Sequence, residues 1–258
     1  MYGRIVDTNS NWIAKRVAEL GGSLRRVTII GDEPDLIGSV LHEAMDRDSH
    51  CIIFTGGLGP SEDDLTVESI GNAVGRCIVK DPITAQKIRD VYRQRGLTDH
   101  NSIARGERMA RIIEGSDAMQ NPVGFAVGMR FRHMGKTVFT LPGVPSEMKG
   151  MFDLHIAPMI EEKATSKFVA KTVNVTMVWR AFFPLYRQLQ QEHPDIYIKN
   201  AATPPVQGSD RSKVHTIKVD IVVEDTTVEE ATEKMDAFLE EYGERIIEAG
   251  GGTLTIIK

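Results

Sequence analysis

At 258 residues, 41% hydrophobic and 26% charged, the chain has an ordinary globular balance and can bury a core without disulfide or metal staples. Its 36 acidic and 31 basic residues leave a net charge of −5, which argues against the basic surface expected of a nucleic-acid binder. The two cysteines, Cys51 and Cys77, stand outside any CxxC and have no histidine at metal-ligand spacing. They read as reduced core or near-core thiols, not as a zinc site.

The opening Met1-Tyr2-Gly3-Arg4-Ile5-Val6-Asp7 lacks the basic-then-apolar pattern of a signal peptide. No apolar run approaches the ~18 residues of a bilayer span, so a soluble, cytoplasmic protein without a membrane partner is expected. Asn9 is placed to cap a helix over residues 12–20, which Gly21-Gly22 ends. A β-rich run at 24–30 follows. Asp32 then stands as the N-cap of a second helix, with Pro34 in its first turn and Leu36, Ile37, Val40, Leu41, Ala44 and Met45 at helical spacing.

Cys51-Ile52-Ile53-Phe54 has the character of a parallel strand buried on both faces. After it come Thr55-Gly56-Gly57-Leu58-Gly59-Pro60 and Ser61-Glu62-Asp63-Asp64-Leu65-Thr66, then a short helix ending near Gly75. Asp81-Pro82 opens a helix that stops by Gly96. A strand at 137–141 runs into Pro142-Gly143-Val144-Pro145, with Ser146 placed to cap the next helix. Strands alternating with helices predict an α/β fold with a doubly wound, mainly parallel sheet.

Beyond the polar stretch at 163–167 the pattern changes. Residues 169–178 and 214–223 are β-rich, 196–199 are extended, and 183–191 and 227–242 are helical by periodicity. The boundary is placed at 166, giving an α/β domain over 1–166 and a smaller α+β domain over 167–258. The segment from Thr203 to Asp210 reads as a mobile loop.

Three loops could carry chemistry. The first, from Thr55 to Thr66, leaves the C-terminal end of a predicted strand, the edge where open α/β sheets bind ligands. Its glycines let backbone approach a ligand closely, and exposed amides there suit anionic oxygens. Glu62, Asp63 and Asp64 beside a phosphate cradle would repel a bare phosphate, and a divalent cation held by one or two carboxylates would remove the conflict. The competing reading is a solvated helix N-terminus, where acids are favoured by the dipole. The second loop, Leu141 to Lys149, opens on the same edge. There Ser146 most simply caps a helix, Glu147 is a favourable first-turn acid and Lys149 is within reach of a phosphate or solvated. The third, Asn121-Pro122-Val123-Gly124, is a turn by composition. The seven histidines have no metal-type spacing, and no GxSxG is present.

Together these loops resemble one family. Gly56-Gly57-Leu58-Gly59 followed by Asp64-Leu65-Thr66 matches the GGxGxxxxDxT motif of the molybdenum-cofactor-biosynthesis (MoCF) fold. The fuller Thr55–Thr66 wording, and the string from Leu141 to Met148, are similar to its CinA-type branch. Ile5-Val6-Asp7-Thr8-Asn9, Gly31-Asp32 and Asn121–Gly124 fit in order. The likeness covers roughly 1–166; beyond that it rests on layout, which is similar to a small KH-like domain.

That resemblance implies metal-dependent cleavage of the pyrophosphate of a nucleotide such as ADP-ribose or FAD. It implies that Gly56, Gly57, Gly59 and Ser61 cradle the pyrophosphate and that Asp63 and Asp64 hold Mg²⁺, Mn²⁺ or Co²⁺ and carry catalysis. Thr66, Asn121, Gly124, Pro142, Gly143, Pro145 and Ser146 complete the substrate wall. It also implies self-association as a dimer or trimer.

Three departures from the family stand out. Met1-Tyr2-Gly3 occupies the end of a segment that usually begins with a strand, so a late start or a trimmed chain is expected. The family's Asn-Pro-x-Gly-x-Ala-Pro-Gly continues here as Phe125-Ala126-Val127-Gly128, without the proline. The amidase domain of full-length members has no room in this length. Molybdopterin binding or adenylylation, and non-catalytic nucleotide binding, stand as alternatives. RNA binding by the small domain is disfavoured, because 167–258 contains no GxxG loop.

Overall fold

The structure, a computed structural model, describes residues 6–200 and 212–257. The readings made on Met1-Tyr2-Gly3 and Ile5, and the loop from Thr203 to Asp210, lie outside the described residues. By contact the chain divides into two units, one of residues 6–15 and 24–162, the other of 16–23 with 163–200 and 212–257. The helix α1 (Thr8–Glu19) is shared between them.

In the first unit, α2 (Pro34–Met45) precedes β1 (Cys51–Thr55), α3 (Thr66–Val74), β2 (Ile78–Lys80) and α4 (Pro82–Gln94). Then come α5 (His100–Gly106), a 3-10 turn (Glu107–Ala110), β3 (Arg111–Ile113), β4 (Asp117–Met119), β5 (Gly128–His133), β6 (Lys136–Leu141), α6 (Pro145–His155) and α7 (Ala157–Lys163). The main sheet has the order β1-β6-β5-β4. Within it β1 and β6 are parallel, and β5 is antiparallel to both β6 and β4. The expected α/β architecture is therefore present with a mixed sheet. Ile37, Leu41 and Met45 of α2 and Val67 and Ile70 of α3 bury against Met129, Phe131 and Val138 of the sheet. Their spacing follows the helical and strand periods that put one face of each element on a shared core.

Several local expectations are corrected. The run at 24–30 forms no strand: Leu24, Val27 and Ile29 are exposed, and β-propensity without a pairing partner and a buried face does not make a strand. As an edge strand β1 is only half-buried, not covered on both faces. Asp7, not Asn9, caps α1, accepting from the Ser10 amide at 2.9 Å. Glu33, not Asp32, is the N-cap of α2, without a side-chain bond. Cys77 is exposed, and neither cysteine is in a disulfide. Asp81 does cap α4, its Oδ2 accepting from Thr84 N at 2.8 Å.

The second unit is an antiparallel sheet, β10 (Gly252–Ile256), β7 (Lys167–Val178), β9 (Val214–Asp225), β8 (Ile196–Asn200), packed with α8 (Trp179–Glu192) and α9 (Val228–Glu248). The β7–β9 ladder runs from Lys167↔Asp225 to Val178↔Val214. Alternate residues Val173, Val175 and Met177, with Ile217, Val219, Ile221 and Val223, meet Phe182, Leu185 and Leu189 of α8 and Met235, Phe238 and Tyr242 of α9. This is an α+β layer with one face covered, as an antiparallel sheet allows. No helix among the described residues is long and apolar enough to cross a membrane.

Candidate active site

Parallel pairing sets the site. Because Thr55 is in register with Leu141, the loops that follow β1 and β6 leave the same edge side by side. Gly56 N donates to Leu141 O at 2.9 Å, and a side chain on Gly143 would meet the Gly56 Cα at 3.3 Å. Asn9 Nδ2 donates to Gly143 O at 2.9 Å from the N-terminal side.

Thr66 closes the first loop at the start of α3. Its Oγ1 donates to Gly56 O at 2.9 Å and its amide to Gly57 O at 3.3 Å. Gly57 adopts φ +68°, and a Cβ there would stand 2.1 Å from Thr66 Oγ1. Both the left-handed backbone and the close approach therefore require glycine. Asp64 folds back over the loop, Oδ2 accepting from Ser61 N at 2.8 Å. Two of the four residues expected to cradle a phosphate thus commit their amides internally, Gly56 to Leu141 and Ser61 to Asp64. Of the other two, Gly59 lies against the Asp64 carboxylate and Gly57 against Thr66.

The second loop differs in detail from its sequence reading. Val144 is the N-cap of α6 and Pro145 occupies its first turn, so Ser146 does not cap the helix. Proline is preorganised for that position and has no amide to satisfy. Pro142 is buried, whereas Gly143, Pro145 and Ser146 are exposed. Lys149 lies over the Trp12 ring at 5.6 Å, a cation–π contact not anticipated from sequence.

Glu147 ties the second loop to the third. Asn121 is buried and its Nδ2 donates to Glu147 Oε2 at 2.5 Å and to Ala126 O at 3.1 Å. Its Oδ1 accepts from Val123 N at 3.0 Å and Gly124 N at 2.8 Å. One amide side chain thereby satisfies a whole turn. Lys87 Nζ donates to Gly124 O at 2.8 Å.

Sequence reasoning missed a row of arginines facing the acidic loop, Arg105, Arg108 and Arg111. Arg108 Nη2 donates to Asp64 O at 3.4 Å, and Arg111 pairs with Glu68. Burial pulls the Arg111 guanidinium below its ordinary value, and the Asp64 carboxylate pushes it back up. Pro60, Glu62, Arg105 and Arg108 line a cleft of about 520 Å³. The three-residue spacing was visible in the sequence, but nothing local told which side of the fold it would face.

The hard oxygens of Asp63 and Asp64 suit a divalent cation that also takes phosphate oxygens. Asp63 is exposed, and Asp64 keeps Oδ1 outside its bond to Ser61, so this pair fits the expected ion. A separate trio in the second unit, Glu192, His193 and Glu241, places ligand atoms within 4.8 Å of one another. Arg245 already pairs with both of its carboxylates, at 2.8 and 3.2 Å.

Residues 1–162 match the probable molybdopterin binding domain family. A protein of Aeropyrum pernix is 31% identical over 253 residues, 97% of this chain and 91% of that one. A putative competence-damage inducible protein of Bacillus subtilis is 37% identical over 166 residues, which are 64% of this chain but only 39% of the relative. The crystal structure of CinA from Thermoplasma acidophilum, a protein described as having unknown function, is 32% identical with a TM-score of 0.55. It covers 61% of this chain and 89% of its own.

Proposed function

Because the chain belongs to the CinA-type branch of the probable molybdopterin binding domain family, we propose that its first unit hydrolyses the pyrophosphate of a nucleotide, ADP-ribose or FAD. The observation that carries the reading is the carboxylate of Asp64 held against the glycine backbone, Oδ2 on Ser61 N at 2.8 Å, on the sheet edge where β1 and β6 end in parallel. An acid locked beside glycines at such an edge suits a polyphosphate that arrives with a cation.

In this mechanism the glycine turn at Gly57 and Gly59 lets the pyrophosphate lie close to backbone, and the Gly143 loop forms the facing wall. A water oxygen bonds to one phosphorus while the bond from that phosphorus to the bridging oxygen breaks. The bridging oxygen leaves on the second phosphoryl group. Two phosphate monoesters result, and the protons of water pass to solvent. Asp63 and Asp64 would hold the divalent ion, which when bound supplies charge neutralisation and a lowered pKa for water. Thr66 keeps the loop closed, and backbone amides oppose the charge that develops on phosphorus oxygens.

A second reading, binding of a pterin without cleavage, is favoured by the description of the matched family. Incubating the protein with ADP-ribose or FAD and Mg²⁺, Mn²⁺ or Co²⁺, then separating products, decides between them. Release of AMP supports hydrolysis. Saturable pterin binding with both nucleotides left intact supports the alternative.

A further inference from the structure

The second unit holds a cluster of titratable groups that the proposed reaction does not use. Glu192 and His193 stand at the C-terminal end of α8, and Glu241 faces them from α9. Glu192, His193 and Glu241 each offer one ligand atom, and these atoms lie within 4.8 Å of one another. His193 Nε2 is 3.1 Å from Glu241 Oε2. The histidine is held from several sides. Its amide donates to Leu189 O at 2.9 Å, and its carbonyl accepts from Ile196 N at 3.1 Å. Its ring meets Phe238 edge-on, with centroids 5.0 Å apart. Leu189 of α8 and Phe238 and Tyr242 of α9 are buried in one core, so the trio stands on packed helices and not on a loop.

Neighbours orient both carboxylates. Gln188 Nε2 donates to Glu192 Oε1 at 2.9 Å. Arg245 Nη2 reaches Glu192 Oε2 at 2.8 Å and Glu241 Oε1 at 3.2 Å. The Glu241 oxygen that faces His193 is therefore the one the arginine does not take. With its ring proton on Nδ1, His193 offers a lone pair at Nε2. One imidazole nitrogen with two carboxylate oxygens suits a borderline transition ion of the Zn²⁺ class, whereas Mg²⁺ and Ca²⁺ prefer oxygen alone. A four-coordinate ion of that class has bonds of about 2.0–2.2 Å, and hence ligands about 3.4 Å apart. Rotation of the exposed Glu192 side chain closes the difference. We propose that Glu192, His193 and Glu241 form a binding site for a Zn²⁺-class ion, with a fourth position open to solvent. Arg245 competes with the ion for both carboxylates and moves aside when it binds. The bound ion ties the end of α8 to α9 and stiffens the second unit. The site is independent of the hydrolytic reading, whose carboxylate pair in the first unit has no imidazole beside it in the expected ligand set.

The test is metal titration of the full, tag-free chain carrying Asp63→Asn and Asp64→Asn, which removes the carboxylates proposed for the first unit's ion. Co²⁺ is the spectroscopic probe, because the four-coordinate ion absorbs visible light far more strongly than the six-coordinate one. Zn²⁺ is then added to displace it. The expected result is a single strongly absorbing Co²⁺ per chain, displaced by an equimolar amount of Zn²⁺ and left in place by excess Mg²⁺. His193→Gln, added to that parent chain, should abolish the absorption and weaken Zn²⁺ at least about tenfold. Arg245→Gln should tighten Zn²⁺ about tenfold, since a competing positive charge is gone. Zn²⁺ should raise the melting temperature of the parent chain and of Arg245→Gln, but not of His193→Gln. If His193→Gln does not fold, Glu192→Gln at its exposed position decides in the same way. No strongly absorbing Co²⁺ in the folded parent chain overturns the site, as does equal Zn²⁺ binding by parent and His193→Gln. Weaker binding by Arg245→Gln overturns the competition assigned to the arginine.

Discussion

Gly59 and Asp64 share so little space that a methyl group on Gly59 would lie 2.5 Å from the Asp64 Oδ2. That oxygen is the one held by the Ser61 amide at 2.8 Å. The glycine is therefore a condition for where the carboxylate sits, independent of any contact with a ligand.

Gly59→Ala is expected to push Asp64 off Ser61. Displacement of a reacting group by about 1 Å can cost about a hundredfold in rate, whereas overpacking costs roughly 1–3 kcal/mol of stability. The variant should stay folded by calorimetry and lose about a hundredfold in kcat for ADP-ribose. Unchanged kcat with a lowered melting point would show that the position of Asp64 does not matter.

Asn121 links two of the three motif loops through Glu147 and satisfies the turn at Val123 and Gly124. Asn121→Ala leaves those partners without it in a buried setting. A loss of roughly 1–3 kcal/mol in denaturant unfolding is expected, with the C-terminal edge of the sheet loosened before the core. Hydrogen exchange that stays unchanged at Gly124 would argue against the link.

How much of this was legible beforehand depended on locality. The strand at Cys51–Phe54, the helix opened by Asp81-Pro82 and the glycine-to-Thr66 loop all followed from short-range chemistry, namely apolar runs, caps and turns. The failures were of three kinds. A strand needs a neighbour, and the run at 24–30 has the composition without the pairing. Side chains that act across the fold, such as Arg108 on Asp64 O or Glu147 on Asn121, have no signature within a window of sequence. Ser146 failed differently, because Pro145 took the first turn and moved the cap back to Val144.

Glu107 should make the first unit acid-sensitive. Lys80 holds its carboxyl below the ordinary 4.5, burial opposing and Arg89 adding to the effect. Since the folded pKa lies below the unfolded one, the contribution is whole above pH 4.5 and is lost as pH falls through the folded value. At pH 7, Glu107→Gln should cost roughly 1–3 kcal/mol, towards the lower end because Lys80 is 53% exposed. The gap from wild type should narrow on acidification below pH 4.5, read by urea unfolding across pH. A gap that widens there would contradict the assignment.

Tyr242 gives a prediction of opposite sign in the second unit. Its ring is fully buried and its hydroxyl has no hydrogen-bond partner. Burial pushes the phenol pKa well up. Tyr242→Phe removes an unsatisfied polar atom at almost constant shape and should stabilise the protein by roughly 1 kcal/mol. A lower unfolding midpoint in the variant would reveal a partner for the hydroxyl.

On the proposed reading, Asp64 organises metal-dependent cleavage of a nucleotide pyrophosphate. The most direct measurement is AMP release from ADP-ribose by wild type and by Asp64→Asn, each with and without Mg²⁺, Mn²⁺ or Co²⁺. The asparagine can still accept from Ser61 N, so the loop should keep its shape while losing the charge. Metal-dependent release by wild type, reduced at least about a hundredfold in the variant, is the predicted result. Equal release by both proteins, or none by folded wild type with any of the three ions, would contradict it.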